Sequence, residues 1–281
     1  HHRGAASELS DALSGEVLKA RRGVVPLLTF VVLVVAAGVA ALFHLAAHRD
    51  FSTPWKTVLA QLAAASPWHG HDLAWLALVL AAAHVVRRML PDGIGWDILA
   101  FQGILIAGVL WRGRGKSNPF GTPTPRWAMV TQAVLRWLAI LPILWFTAFV
   151  WQMLLRARGY EPDFQQAIQL SLQARNPWAR LGFAFFAVGL APFAEEALFR
   201  GILLPLLVRG TGPVWGVTLL AAGFAALHAD AGTFAALAVF SVALSLAYAR
   251  TGSLWVPVSM HALFNGTNLA LLLALSRAGF M

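Results

Sequence analysis

Apolar runs close to bilayer length recur along almost the whole chain, and no soluble core could absorb them. They lie at about 24–47, 73–90, 96–111, 128–155, 179–207, 213–228, 232–249 and 254–275. A hydrocarbon layer about 30 Å thick asks for about 20 apolar residues per helix. Barrel strands are about half that length and alternate in polarity, whereas these runs are continuous and rich in Ala and Leu. Only 12% of residues are charged, against about 25% in a soluble domain. The expectation is an all-α polytopic membrane protein with roughly eight transmembrane helices, one of them kinked, and an intramembrane polar cavity. The organisation that follows is a polar N-terminal segment at 1–23, a set of transmembrane helices at 24–175 and a C-terminal unit at 176–281. Between the fourth and fifth runs, Phe164–Leu172 reads as an interfacial helix.

The charge balance narrows the partners. The formal charge is +9, but the basic residues sit in short loops beside apolar runs. That pattern fits anchoring on one side of a bilayer and contact with membrane lipid, and it argues against nucleic acid. The twelve Trp cluster near run ends, among them Trp55, Trp68, Trp111, Trp127, Trp178 and Trp255, as interfacial belts do. With no Cys, thiolate catalysis, disulfides and Cys-held metals drop out. The first run reads as a span, not a cleavable signal. The usage of Ala, Arg and Trp points to a bacterial inner membrane.

Against this background one stretch stands apart. Phe193-Ala194-Glu195-Glu196-Ala197-Leu198-Phe199-Arg200 places two acids and a base inside the fifth run. A charge at mid-membrane costs roughly 2.5–3.5 kcal/mol on insertion scales, so three together need compensation. Glu196 and Arg200 are four apart and can pair on one helix face. Glu195 points about 100° away, toward something else. Pro192 just ahead should kink the helix and free backbone groups that protein or water must satisfy.

Two other runs offer polar groups at depth. His228 ends the sixth, in Phe224-Ala225-Ala226-Leu227-His228; His261 and Asn265 share a face of the last. Polar groups in lipid seek one another, so a shared pocket is the economical arrangement. A carboxylate and a neutral imidazole can hold a water and take its proton. An imidazole N–H and an amide N–H on one face can donate together to an oxyanion. That set suffices for amide hydrolysis without a Ser or Cys nucleophile. His228, His261 and Glu195 could also ligate zinc.

The plainer readings are these. Glu196–Arg200 alone is a helix-locking ion pair, and Asn265 alone is helix glue. His44 and His84 read as hydrogen-bonded core residues; His48, His69 and His71 read as a solvated loop cluster. Asp97 and Asp230 lie near span ends and face water. A transporter or proton relay would also use buried acids and histidines, but no internal repeat supports it.

Glu-Glu-x-x-x-Arg, Phe-x-x-x-His and His-x-x-x-Asn, each on its own apolar run, resemble the CPBP family of CAAX-processing and bacteriocin-processing membrane proteases, also called ABI, related to the Ras-converting endopeptidase. The segment Tyr248–Trp255 leading into His261 is also similar to that family's final turn. The resemblance covers about residues 178–270. It implies that Glu195 and His228 activate a catalytic water and that His261 and Asn265 stabilise the oxyanion. It implies that Glu196 and Arg200 hold the site together and that Phe224 packs beside it. It implies an intramembrane endopeptidase of glutamic type with no cofactor, a metal-dependent version being the alternative. The substrate would be a membrane-anchored protein, a C-terminal tail or a peptide. A non-enzymatic binding or immunity-type protein that keeps the fold is the second class of function.

Overall fold

The computed structural model describes residues 28–48, 50–90, 96–122, 125–160 and 177–277. The polar segment 1–23 and the expected interfacial helix Phe164–Leu172 lie outside the described residues. Nine helices account for the fold among those residues. They are α1 (Leu28–Ala47), α2 (Trp55–Ala65), α3 (Gly70–Met89), α4 (Trp96–Gly113) and α5 (Arg126–Arg156). Helical turns then run from Pro177 to Leu227 with one interruption: Gly212 has φ 81° and ψ 167°. We divide the run there into α6 (177–211) and α7 (213–227). α8 (Phe234–Thr251) and α9 (Trp255–Arg277) complete the chain.

The all-α polytopic membrane architecture is as expected, but the count of eight spans is not reproduced. Five stretches are long and apolar enough to cross a bilayer; the one at Leu181–Leu227 contains the Gly212 break. A sixth span arises if α2 and α3, bent by 81°, act as one. The difference has two sources: Leu181–Leu227 takes two of the expected runs as one stretch, and the apolar part of α4, Leu99–Gly113, is short of bilayer length. The stretch read as a loop after the first run holds α2, and Pro67 with its neighbours turns the chain sharply into α3.

Within α6 two π-helical segments, Phe186–Leu190 and Ala197–Leu203, flank Ala191–Glu196. Each π segment stops one residue short of a proline: Ala191 precedes Pro192 and Leu204 precedes Pro205. Proline has no N–H, and its ring crowds the carbonyl four residues back. The helix answers by widening. Ala191 N–H bonds Phe186 O and Leu204 N–H bonds Phe199 O, each five residues back. Such π bulges are rare and gather at functional sites.

The main apolar core includes Leu59 and Ala63 of α2, Val79 of α3, Leu105 and Val109 of α4, Phe199 of α6, Phe224 of α7 and Val258 of α9. A second cluster sets Ala133 and Leu144 of α5 against Phe240 and Leu244 of α8 and Met260 of α9. Trp68 corrects its expected interfacial role, since it is fully buried and its Nε1 donates to Pro119 O at 2.9 Å. Trp55, Trp111, Trp127 and Trp255 are exposed. His44 and His84 are also exposed, not core residues; His44 O accepts from His48 Nδ1 at 2.9 Å.

A polar clamp joins the early helices to the last turn. Asp72 at the start of α3 is 1% exposed and accepts from Arg112 Nε at 2.6 Å and Lys116 Nζ at 3.1 Å. Lys116 also donates to Pro67 O at 3.0 Å. The chain from Lys116 then runs to the turn between α8 and α9. Thr122 N–H donates to Gly252 O at 2.8 Å, and Leu254 N–H donates to Phe120 O at 3.1 Å. Gly121 and Ser253 thus form a single antiparallel bridge. Gly252 ends α8 at φ 65°, and Gly121 has φ 84°.

A Cβ on Gly121 would fall inside the Gly252 carbonyl. Gly121→Ala should therefore lower the melting temperature in detergent, with a loss on the order of 2 kcal/mol from left-handed backbone and overpacking together. Gly103→Ala, where the added carbon meets nothing within 4 Å, should be neutral or stabilising in the same melt.

Candidate active site

Glu196 is fully buried and carries two contacts on one oxygen. Its Oε1 accepts from Arg200 Nη1 at 2.9 Å, the pairing expected across four residues. The same Oε1 lies 2.8 Å from His261 Nδ1. Helices α6 and α9 are therefore joined through a carboxylate held between a guanidinium and an imidazole. Arg200, also fully buried, reaches further. Its Nη2 donates to Ser241 Oγ at 2.7 Å and to Ser241 O at 3.1 Å on α8. Its guanidinium lies 4.6 Å from the centre of the Phe224 ring on α7. Four helices thus meet on one Glu–Arg pair.

Glu195, the neighbouring acid, turns toward α9 by a different route. Its side chain is 23% exposed, and Oε2 stands 3.9 Å from His261 Nε2, too far for a hydrogen bond. Glu195 Oε2 has no hydrogen-bond partner, nor has Glu196 Oε2. His261 therefore faces both acids, one through each ring nitrogen.

His228 caps α7, and its Nδ1 is 2.8 Å from Phe224 O. A carbonyl only accepts, so Nδ1 carries the proton and the neutral ring keeps its lone pair on Nε2. The Phe224 ring stands between the two histidines, 4.8 Å from His228 and 5.9 Å from His261 by ring centres, and packs edge-on against Phe199 at 5.0 Å. The loop after His228 is braced by Asp230, which accepts from Gly232 N–H at 2.8 Å and Thr233 Oγ1 at 2.9 Å. Trp151 of α5 donates to Ala231 O at 2.6 Å.

Asn265 shows what Pro192 does to α6. The Ala187 carbonyl would normally accept from Ala191 N–H, but that group has moved to Phe186 O. The next residue along is Pro192, which has nothing to donate. Asn265 Nδ2 fills the gap, donating to Ala187 O at 2.8 Å. The amide is thereby oriented toward α6, and its second N–H remains for another acceptor.

The six residues singled out in the sequence thus come from α6, α7 and α9; Arg200, His228 and His261 lie against Phe224, which packs as expected. Sequence reasoning missed Ser241, the α8 anchor of Arg200. The available signal was Ser241 with Ser245, four apart in an apolar run and both fully buried; Ser245 Oγ donates to Ser241 O at 2.8 Å.

Glu195, His228 and His261 do not draw their ligand atoms together as a zinc trio would. Among the described residues the set whose ligand atoms lie within 4.8 Å of one another is His69, His71 and Asp72. Asp72 there is already held by Arg112 and Lys116, and its Oδ2 caps His69 N–H at 2.8 Å. His69 and His71 stack on each other in the loop and at the start of α3, while His48 packs at a tilt against His44.

Residues 177–267 match the family model described as type II CAAX prenyl endopeptidase Rce1-like. No curated protein and no solved structure matches the chain. The matched stretch contains all six of the site residues and Phe224. The 177–267 segment of this multi-pass membrane protein is thus similar to the CAAX-protease, or CPBP, family of membrane endopeptidases.

Proposed function

We propose that the protein is an intramembrane endopeptidase of glutamic type, with 176–281 as its protease core. It hydrolyses a peptide bond in a membrane-anchored protein, a C-terminal tail or a peptide. The matched family's description names a CAAX prenyl endopeptidase; for this chain the reading stops at the wider class. The observation that carries the reading is Glu195 Oε2, a carboxylate oxygen without a protein partner at 3.9 Å from an imidazole. A buried acceptor of that kind is costly unless a ligand or water proton completes it.

The hydrogen bonds support the following chemistry. His228 Nε2, left basic by the Nδ1–H bond to Phe224 O, and the Glu195 carboxylate together take the proton of the attacking water. Water oxygen adds to the carbonyl carbon, and the carbonyl oxygen becomes an oxyanion. The free N–H of Asn265 and Nε2–H of His261 donate to it. Glu196 Oε1 holds His261 by Nδ1, which leaves Nε2 as the ring nitrogen that faces the oxyanion. On collapse the proton held by Glu195 and His228 passes to the leaving amine. No metal enters this sequence.

Glu195→Gln and His228→Ala should each lower turnover by about 10²–10⁴-fold while the protein keeps its melting temperature; processing that persists in both folded variants would refute hydrolysis at this site. Asn265→Ala should cost about 10²–10³-fold in kcat and some stability, since Ala187 O loses its donor. Incubation with EDTA should leave cleavage unchanged; a loss restored by zinc would replace the glutamic reading with a metal one. Arg200→Leu should act on folding, because breaking a buried pair costs about 3–5 kcal/mol, and the variant should fail to accumulate in the membrane.

A further inference from the structure

Away from the active site, a second group of buried charges sits at the end of an apolar cavity. Arg136 of α5 grips Asp50 with both forks, Nη1 to Oδ2 at 2.7 Å and Nη2 to Oδ1 at 2.6 Å. Arg250, in the last turn of α8, donates to Asp50 O and, at 3.2 Å, to Thr53 O. Its Nε is 3.9 Å from Asp50 Oδ2. The side chains are only 9% (Arg136), 10% (Arg250) and 16% (Asp50) exposed. Two guanidinium groups against one carboxylate leave one positive charge in excess. Arg136 Nε is also buried without a hydrogen-bond partner.

These three residues line one cavity of about 480 Å³ whose remaining lining is almost entirely apolar. The cavity has a direction. On α5 it runs from Arg136 to Ile143, on α8 from Arg250 back to Val242, and on α1 from near Asp50 back to Leu42. Seven or eight residues of helix rise about 10–12 Å, so the slot is charged at one end and apolar for that depth. The charged end lies at the level where α1 and α8 end. Trp55, an aromatic of the kind that sits at the lipid–water boundary, lines it.

We propose that this slot binds one anionic phospholipid, with a single acyl chain between α1, α5 and α8 and the phosphate at Arg136 and Arg250. A structural ion pair alone would be served by equal charges. The excess guanidinium at the mouth of an apolar slot matches a ligand that is anionic at its head and apolar below. The volume falls in the range of small-ligand pockets. The occupant would touch the backs of the helices that carry the active site: Val217 on the helix of His228, Val242 beside Ser241, and Met260 beside His261. Bound lipid therefore braces the site from behind without entering it.

The test uses the full chain in nanodiscs of phosphatidylcholine, alone or mixed with phosphatidylglycerol, followed by native mass spectrometry of retained lipid and by thermal melting. Wild type should retain one phosphatidylglycerol in preference to phosphatidylcholine and melt higher in the mixed discs. Glycerol phosphate without acyl chains should not raise the melt, which separates a lipid site from a phosphate site. Arg250→Gln should cut the preference about fivefold, the worth of one basic group near a membrane surface. Ala243→Phe, which fills the slot and leaves the ionic group intact, should abolish retention. Equal retention of both lipids by wild type, or unchanged retention in Ala243→Phe, overturns the proposal. Should Arg250→Gln not fold, Ala243→Phe decides. Cleavage activity is not the readout, so a failure here leaves the protease reading untouched.

Discussion

A single carboxylate oxygen, Glu196 Oε1, takes a guanidinium on one side and an imidazole on the other. Everything around it depends on that meeting. A lone carboxylate at this depth would carry a desolvation cost of several kcal/mol. Arg200 offsets it through charge, and Arg200 in turn needs Ser241 and the Phe224 face for its remaining valences. The cost of each buried group is met by the next, so the contacts form a closed chain across α6, α7, α8 and α9. Removing any link leaves a charge stranded in apolar surroundings. The arrangement holds Glu195 apart from this web, with one oxygen unsatisfied and an imidazole just beyond hydrogen-bond reach. The acid that is locked and the acid that is free differ by one position in the chain and by about 100° around the helix.

Two prolines tune that geometry. By withholding their N–H groups, Pro192 and Pro205 open π turns on either side of the paired acids. The first also strands the Ala187 carbonyl, and Asn265 is drawn to it. The kink thus does two things at once: it bends the helix and it ties an amide of α9 to α6. Neither follows from helix propensity; both follow from counting donors.

Much of this could be read in the sequence. Charge at membrane depth is expensive enough that Glu195, Glu196, Arg200, His228, His261 and Asn265 stood out without coordinates, and the i, i+4 spacings put each pair on one face. The helical runs from α3 onward were legible because hydrophobicity is continuous there. Three things were not. Trp68 carries the same side chain as an interfacial anchor, and only the fold turns it inward to Pro119. The count of eight spans was not reproduced because two expected runs form one stretch, Leu181–Leu227, and the apolar part of α4 is short of bilayer length; α2, read as loop, joins α3 through a bend. Ser241 was passed over because a serine in a transmembrane helix is usually satisfied by its own backbone, and its role depends on a partner 41 residues away.

The bridge between Gly121 and Ser253 carries one more implication, for biogenesis. The chain emerges from its amino end, and multi-element proteins fold piecewise in that order. Phe120 and Thr122 are therefore in the membrane long before Gly252 and Leu254 arrive to pair with them. The earlier loop serves as a waiting template, and the candidate active site stays incomplete until the helix bearing His261 is seated on it.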